Sequence, residues 1–288
     1  MAPIEVFIKR HPVLTYFAVV FAISWGSSLV LFGPGVFLGS KEISFVGAGP
    51  LAYLAFLAGP SVAGLLLAGL VHGRTGLRDV RLRLSTWRVG VRWYAVAFLT
   101  APLLTTATLL TLSLTSPVFL PAIITADDKA SLLVPAVVVG LAVPTFEELG
   151  WTGFAIPELA KRHGLLGTGL IVGLLWGAWH FPLFSASAGS AGAIPPALYV
   201  VALLFSWLPP YRVLMVWVYD HTKSLLVAML MHVPIAVSPF ILSPTATVGA
   251  DLLIQVLVFG GALWAVVAVV AVADGGHLAG QPLRRRVA

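Results

Sequence analysis

The chain has 288 residues, 59% of them hydrophobic and only 10% charged, with a formal net charge of +6 and no cysteine. So little polar surface excludes an ordinary soluble domain, and the missing thiols exclude cysteine catalysis, disulfides and thiolate metal sites. The net positive charge does not indicate nucleic acid, because the basic residues follow the edges of apolar stretches and form no basic domain.

In chain order, apolar stretches long enough to span a bilayer, about 20 residues each, fall at 13–33, 46–71, 94–115, 132–156, 165–184, 195–217, 224–243 and 251–273. They lack the period-2 alternation of barrel strands, so the expected fold is all-α, a polytopic transmembrane bundle of about eight helices. The first stretch follows Lys9 and Arg10 and runs on to Phe32 without a small-residue cleavage site, which reads as a retained span and not a signal peptide. Lys9, Arg10, the six arginines from Arg74 to Arg92, Lys161, Arg162, Arg212, Lys223 and Arg284 to Arg286 lie on alternate connections and both tails, 15 of the 17 Lys and Arg. The positive-inside rule then places both termini in the cytoplasm. The opposite loops carry Lys41 with Glu42, and Asp127, Asp128 and Lys129. A multi-pass cell-membrane protein in contact with lipid is expected.

Residues 49–70, including "LAGPSVAG", carry glycine and alanine at spacings that let helices approach closely. In segment 72–93, Leu77, Val80, Leu84, Trp87 and Val91 recur at helical spacing beside a stripe of Arg74, Arg78, Arg81, Arg88 and Arg92. This predicts an amphipathic helix on the cytoplasmic face, its arginines near anionic headgroups. No linker or repeat divides the chain, so residues 1–288 are read as one membrane domain.

Few polar residues lie deep: Glu147 and Glu148 in the fourth stretch, His180 in the fifth and His232 in the seventh. Each mid-helix carboxylate costs about 2.5–3.5 kcal/mol on insertion, so an adjacent pair points to function. At about 100° per residue the two must face different ways. Thr152 shares the face of Glu148 and can donate to it, leaving Glu147 to face a cavity. With no cation nearby in sequence, the pair is expected to share a proton, and such a carboxylate can act as a general base. Glu147, His180 and His232 together suit water activation or a divalent metal such as zinc, although the HExxH spacing is absent. Pro144, Pro182 and Pro234 lie two or three residues from the candidates, and kinks at all three would open a polar cavity. Straight helices would leave His180 and His232 at different depths. Trp176 and Trp179 read as packing residues, with Trp176 able to wall the cavity. Tyr219 to Lys223 are expected to form a short loop and helix cap.

The segments "EELGWTGFAIPEL", "WGAWHFPLF" and "VYDHTKSLLVAMLMH" resemble the three ordered motifs of the CPBP family, the CAAX proteases and bacteriocin-processing enzymes, which includes type II CAAX prenyl endopeptidases. The resemblance covers about 132–240, the expected CAAX protease-like core. The family patterns are EExxxR, FxxxH and HxxxN or HxxxD; here Glu147, Glu148, His180 and His232 match, while Thr152, Trp176 and Ala236 depart. The resemblance implies an intramembrane endopeptidase in which Glu147 with His180 activates water and His232 stabilises the oxyanion. Its substrate would be a membrane-associated peptide or protein, prenylated or CAAX-like. Thr152 and Ala236 define a second reading, a non-catalytic relative acting as membrane scaffold or bacteriocin self-immunity protein. A proton-coupled transporter is a third, for which deep Glu and His also serve.

Overall fold

The computed structural model describes residues 3–41, 49–244 and 247–280, and every regular element in them is helical. Glu42, Arg284 to Arg286 and the start of the expected 46–71 span lie outside the described residues. The elements are α1 (Pro3–Arg10), α2 (Pro12–Phe32), α3 (Gly49–Leu84), α4 (Val91–Ser113), α5 (Ala122–Thr125), α6 (Ala130–Gly150), α7 (Ile156–Leu159) and α8 (Leu165–Trp179). They continue with α9 (Phe181–Phe184), α10 (Pro196–Phe205), α11 (Leu208–Thr222), α12 (Leu225–Ile241), α13 (Gly249–Ala273) and α14 (His277–Gly280). A π-helical turn, Trp151–Ala155, joins α6 to α7.

All eight predicted apolar stretches are helical, but not all are full spans. Among the described residues six helical stretches are long and apolar enough to cross a membrane, and a seventh qualifies if α8 and Phe181–Ser190, bent by 49°, count together. The remaining stretch is α12, whose 17 residues reach about 26 Å at 1.5 Å per residue, short of the ~30 Å hydrocarbon core. The protein is thus a multi-pass membrane helix bundle. On α6, Val134, Val137, Val138 and Leu141 are exposed, an apolar face suited to lipid, while its C-terminal turn is buried.

The expected amphipathic helix over 72–93 is shorter than its periodicity suggested. Gly73 breaks α3 with φ 64° and ψ −150°, and the arginine-bearing segment beyond it ends at Leu84. There Ser85 Oγ and Thr86 Oγ1 hydrogen-bond back to Leu82 O at 3.1 and 2.7 Å, side-chain competition that ends helices. Arg74, Arg78, Arg81, Arg88 and Arg92 are exposed, whereas Arg83, outside that stripe, is buried.

Small residues set the two approaches that build the site. A Cβ on Gly64 would lie 2.7 Å from Gly150 Cα, and one on Gly150 would lie 2.2 Å from Pro60 O. The backbones of α3 and α6 therefore touch beside the glutamate pair, as the glycine-rich "LAGPSVAG" predicts. On α8, a Cβ at Gly169 or Gly173 would meet Val213 or Pro209 Cα of α11 at 2.7 and 2.6 Å. That contact brings α11 beside Trp176.

Candidate active site

Glu147 and Glu148 occupy the last turn of α6, both buried, and their side chains diverge as helical geometry requires. Glu147 Oε2 accepts from Trp151 Nε1 at 3.1 Å and from Trp176 Nε1 at 2.6 Å. Both bonds go to one oxygen. Glu148 Oε2 accepts from Thr152 Oγ1 at 2.5 Å, the predicted bond. Arg212 Nη1 donates to both Glu148 oxygens, at 2.8 and 2.9 Å, and His232 Nδ1 lies 2.7 Å from Oε1.

The turn that carries Thr152 is supported from outside its own helix. A π turn shifts the normal i→i−4 ladder and leaves carbonyls needing other donors. Arg83 supplies them, with Nη1 3.1 Å from Thr152 O and Nη2 2.8 Å from Gly153 O. The same guanidinium donates to Tyr219 Oη at 2.9 Å and pairs with Asp79 at 2.9 Å. On the other side Ser61 Oγ donates to Phe146 O.

His180 sits at the bend between α8 and α9. Its Nδ1 lies 2.8 Å from Trp176 O, and Trp25 Nε1 takes the neighbouring Trp179 O at 3.0 Å. The break expected at Pro182 is therefore present, whereas Pro144 and Pro234 lie inside continuous α6 and α12. Of the three prolines, only Pro182 coincides with a break between helices. A carbonyl and a carboxylate facing the Nδ1 atoms assign the Nδ1–H tautomer to His180 and His232, which leaves both Nε2 lone pairs for other partners. Trp176 lies between the two imidazoles, with ring centroids 5.5 Å from His180 and 5.2 Å from His232, and the Arg212 guanidinium sits 4.1 Å over it.

A cavity of about 250 Å³ collects Glu147, Trp176, His180 and His232 on one wall, with Tyr53 and Ala236 also lining it. Both histidines therefore reach one cavity. Glu148 stands behind His232, outside the cavity lining. Among the described residues no group of three His, Asp or Glu side chains could hold a metal ion. Glu147, His180 and His232, the suggested ligand set, line the cavity without forming such a group among the described residues.

Residues 129–237 match the family model for type II CAAX prenyl endopeptidase Rce1-like proteins. The chain is also 30% identical over 101 residues to CAAX prenyl protease 2 of Methanococcus maripaludis, a stretch that is 34% of this chain and 37% of that protein. Over this segment the chain is similar to type II CAAX prenyl endopeptidases. The chain thus spans little more than a third of the length of that curated relative.

Against the CPBP pattern, the largest surprise is the cation. Thr152 replaces the motif arginine, and the expectation of an uncompensated glutamate pair followed from it; the structure instead brings Arg212, fully buried, onto Glu148. By sequence alone Arg212 reads as a membrane-edge residue. Yet it lies within the predicted 195–217 stretch, and an arginine inside a span is itself a functional signal. Trp176, read as packing, is the donor that links Glu147 to both histidines. Arg83 was masked by its exposed neighbours, and only its absence from their stripe set it apart. The expected 219–223 loop is instead the last turn of α11, with Lys223 closing it in the left-handed region at φ 51° and Ser224 capping α12.

Proposed function

We propose that this protein is an intramembrane endopeptidase that hydrolyses a peptide bond with water activated by Glu147. The supporting observation is that Glu147, His180 and His232 line one cavity while the hydrogen bonds of Glu147 all go to Oε2, leaving Oε1 for water. Glu147 takes a proton as the water oxygen bonds to the carbonyl carbon, and His180 Nε2 accepts a hydrogen bond from the second O–H, which stays on the attacking oxygen. The carbonyl oxygen, now an oxyanion, is met by His232, protonated at Nε2 and backed by Glu148. Collapse breaks the C–N bond as Glu147 returns its proton to the leaving nitrogen. No step requires zinc or another metal.

The relative's name, CAAX prenyl protease, supports a membrane-associated CAAX-like or prenylated peptide as substrate. Residues 132–240 form the working core, within a single domain of the cell membrane whose 72–93 segment rests on the cytoplasmic surface. Purified protein in lipid nanodiscs should cleave a prenylated CAAX peptide, and Glu147→Gln should abolish cleavage. A Glu147→Gln protein as active as the wild type would sink the reading. Ala236 favours a second reading, a scaffold or self-immunity protein, since it places no side-chain donor beside His232. That reading predicts full biological effect from Glu147→Gln and no peptide cleavage by either protein.

A further inference from the structure

We infer that Arg212 is a positioning residue of this site, holding Glu148 so that Glu148 in turn fixes His232; the inference rests on the endopeptidase reading for its kinetic consequences. Arg212 is fully buried on α11 and its Nη1 spans both oxygens of Glu148. Its guanidinium carbon also lies 4.1 Å from the ring centroid of Trp176, the donor to Glu147. One side chain therefore touches the supports of both carboxylates. Buried charges are retained only where a partner compensates them, and within this cluster Arg212 is the only permanent cation facing Glu148. His232 Nδ1 shares Oε1 with that guanidinium at 2.7 Å. The angle of the imidazole, and hence the aim of Nε2 into the cavity, depends on where Arg212 keeps the carboxylate.

The geometry also explains how Thr152 is tolerated. Thr152 Oγ1 reaches Glu148 Oε2 from the π turn at 2.5 Å, so positions 152 and 212 converge on one carboxylate from two helices. In this chain the cation stands at position 212 and a hydroxyl at position 152. An arginine at either position can serve, provided the other leaves room.

The test compares Arg212→Thr, Arg212→Lys and the exchange Arg212→Thr with Thr152→Arg, which keeps the side-chain inventory and moves only the charge. Loss of charge-assisted bonds to Glu148 should lower kcat in Arg212→Thr at least about tenfold, with KM little changed. Arg212→Lys should recover part, since ammonium lacks the planar fork, and the exchange should recover most of the rest. An exchange variant that folds yet is no better than Arg212→Thr overturns the inference, as does an Arg212→Thr enzyme of wild-type kcat. Glu147→Gln run in parallel separates the two claims, because its full activity refutes the endopeptidase reading and leaves the pairing to a second measurement. Thermal melting supplies it. Glu148→Gln and Arg212→Thr should each lower Tm, and the double variant should lose less than the sum, because each single change strands a buried charge. Additive losses overturn the pairing whether or not any peptide is cut, and this readout also serves if Arg212→Thr is too unstable for kinetics.

Discussion

The indole nitrogen of Trp176 donates to Glu147 Oε2 at 2.6 Å, the shorter of that carboxylate's two hydrogen bonds. The same residue accepts from His180 Nδ1 with its backbone carbonyl and meets His232 with its ring. A position that the motif pattern fills with an aromatic wall is here also a donor, and phenylalanine could not supply that N–H. Trp176→Phe keeps most of the ring and removes the donor. A hydrogen bond to a charged group contributes about 1.5–3 kcal/mol, so kcat should fall about 10- to 100-fold. Steady-state cleavage by the purified variant measures this, and an unchanged kcat would assign Trp176 to packing alone.

Arg83 supports the π turn from the surface segment, and its loss should be felt as instability. Removing charged donors from two buried carbonyls, Thr152 O and Gly153 O, should cost roughly 3 kcal/mol or more. Arg83→Met should therefore melt well below wild type. Arg81→Met, at an exposed position two residues away, should melt with wild type. Equal melting of the two variants would mean that the π turn stands without Arg83.

The contrast between these arginines marks what sequence can carry. Hydropathy placed all eight helical stretches, because burial in lipid needs long apolar runs and little else. Helix geometry separated Glu147 from Glu148 and gave Thr152 to Glu148, because those contacts are local and repeat every turn. Contacts between helices were out of reach. Arg212 meets Glu148 across 64 positions and Arg83 meets Thr152 across 69, and no local periodicity encodes either pairing. Basic residues in a membrane protein also carry a topological role, and that role hid both arginines. Likewise, prolines mark places where a helix can bend without saying whether neighbouring helices let it, and only Pro182 coincides with a break.

Metal removal separates the carboxylate mechanism from a metal-dependent one. Glu147 is held by two indoles, His180 by Trp176 O and His232 by Glu148, and among the described residues these side chains form no metal-holding group of three. Cleavage should survive exhaustive chelation within about twofold, in contrast to enzymes whose nucleophilic water is metal-bound. Inactivation by chelator, reversed by added zinc, would show that the side chains rearrange around an ion.

Ala236 offers a gain of function. It lies one helical turn beyond His232 on α12 and lines the same cavity, so a side-chain amide there would point into the space where the oxyanion forms. The CPBP pattern carries Asn or Asp at this place. One well-placed oxyanion donor is worth roughly a hundred- to a thousandfold in other hydrolases. Part of that should be recovered here, since the surrounding residues have packed around alanine and will resist a larger side chain. Ala236→Asn should raise kcat about tenfold or more, whereas Ala236→Leu, similar in size and without a donor, should raise nothing. If both variants are slower than wild type, the cavity has no room at position 236, and His232 alone must carry the oxyanion. If Ala236→Asn converts a protein with no measurable cleavage into an active one, the wild-type site is a silenced one with the remaining machinery intact.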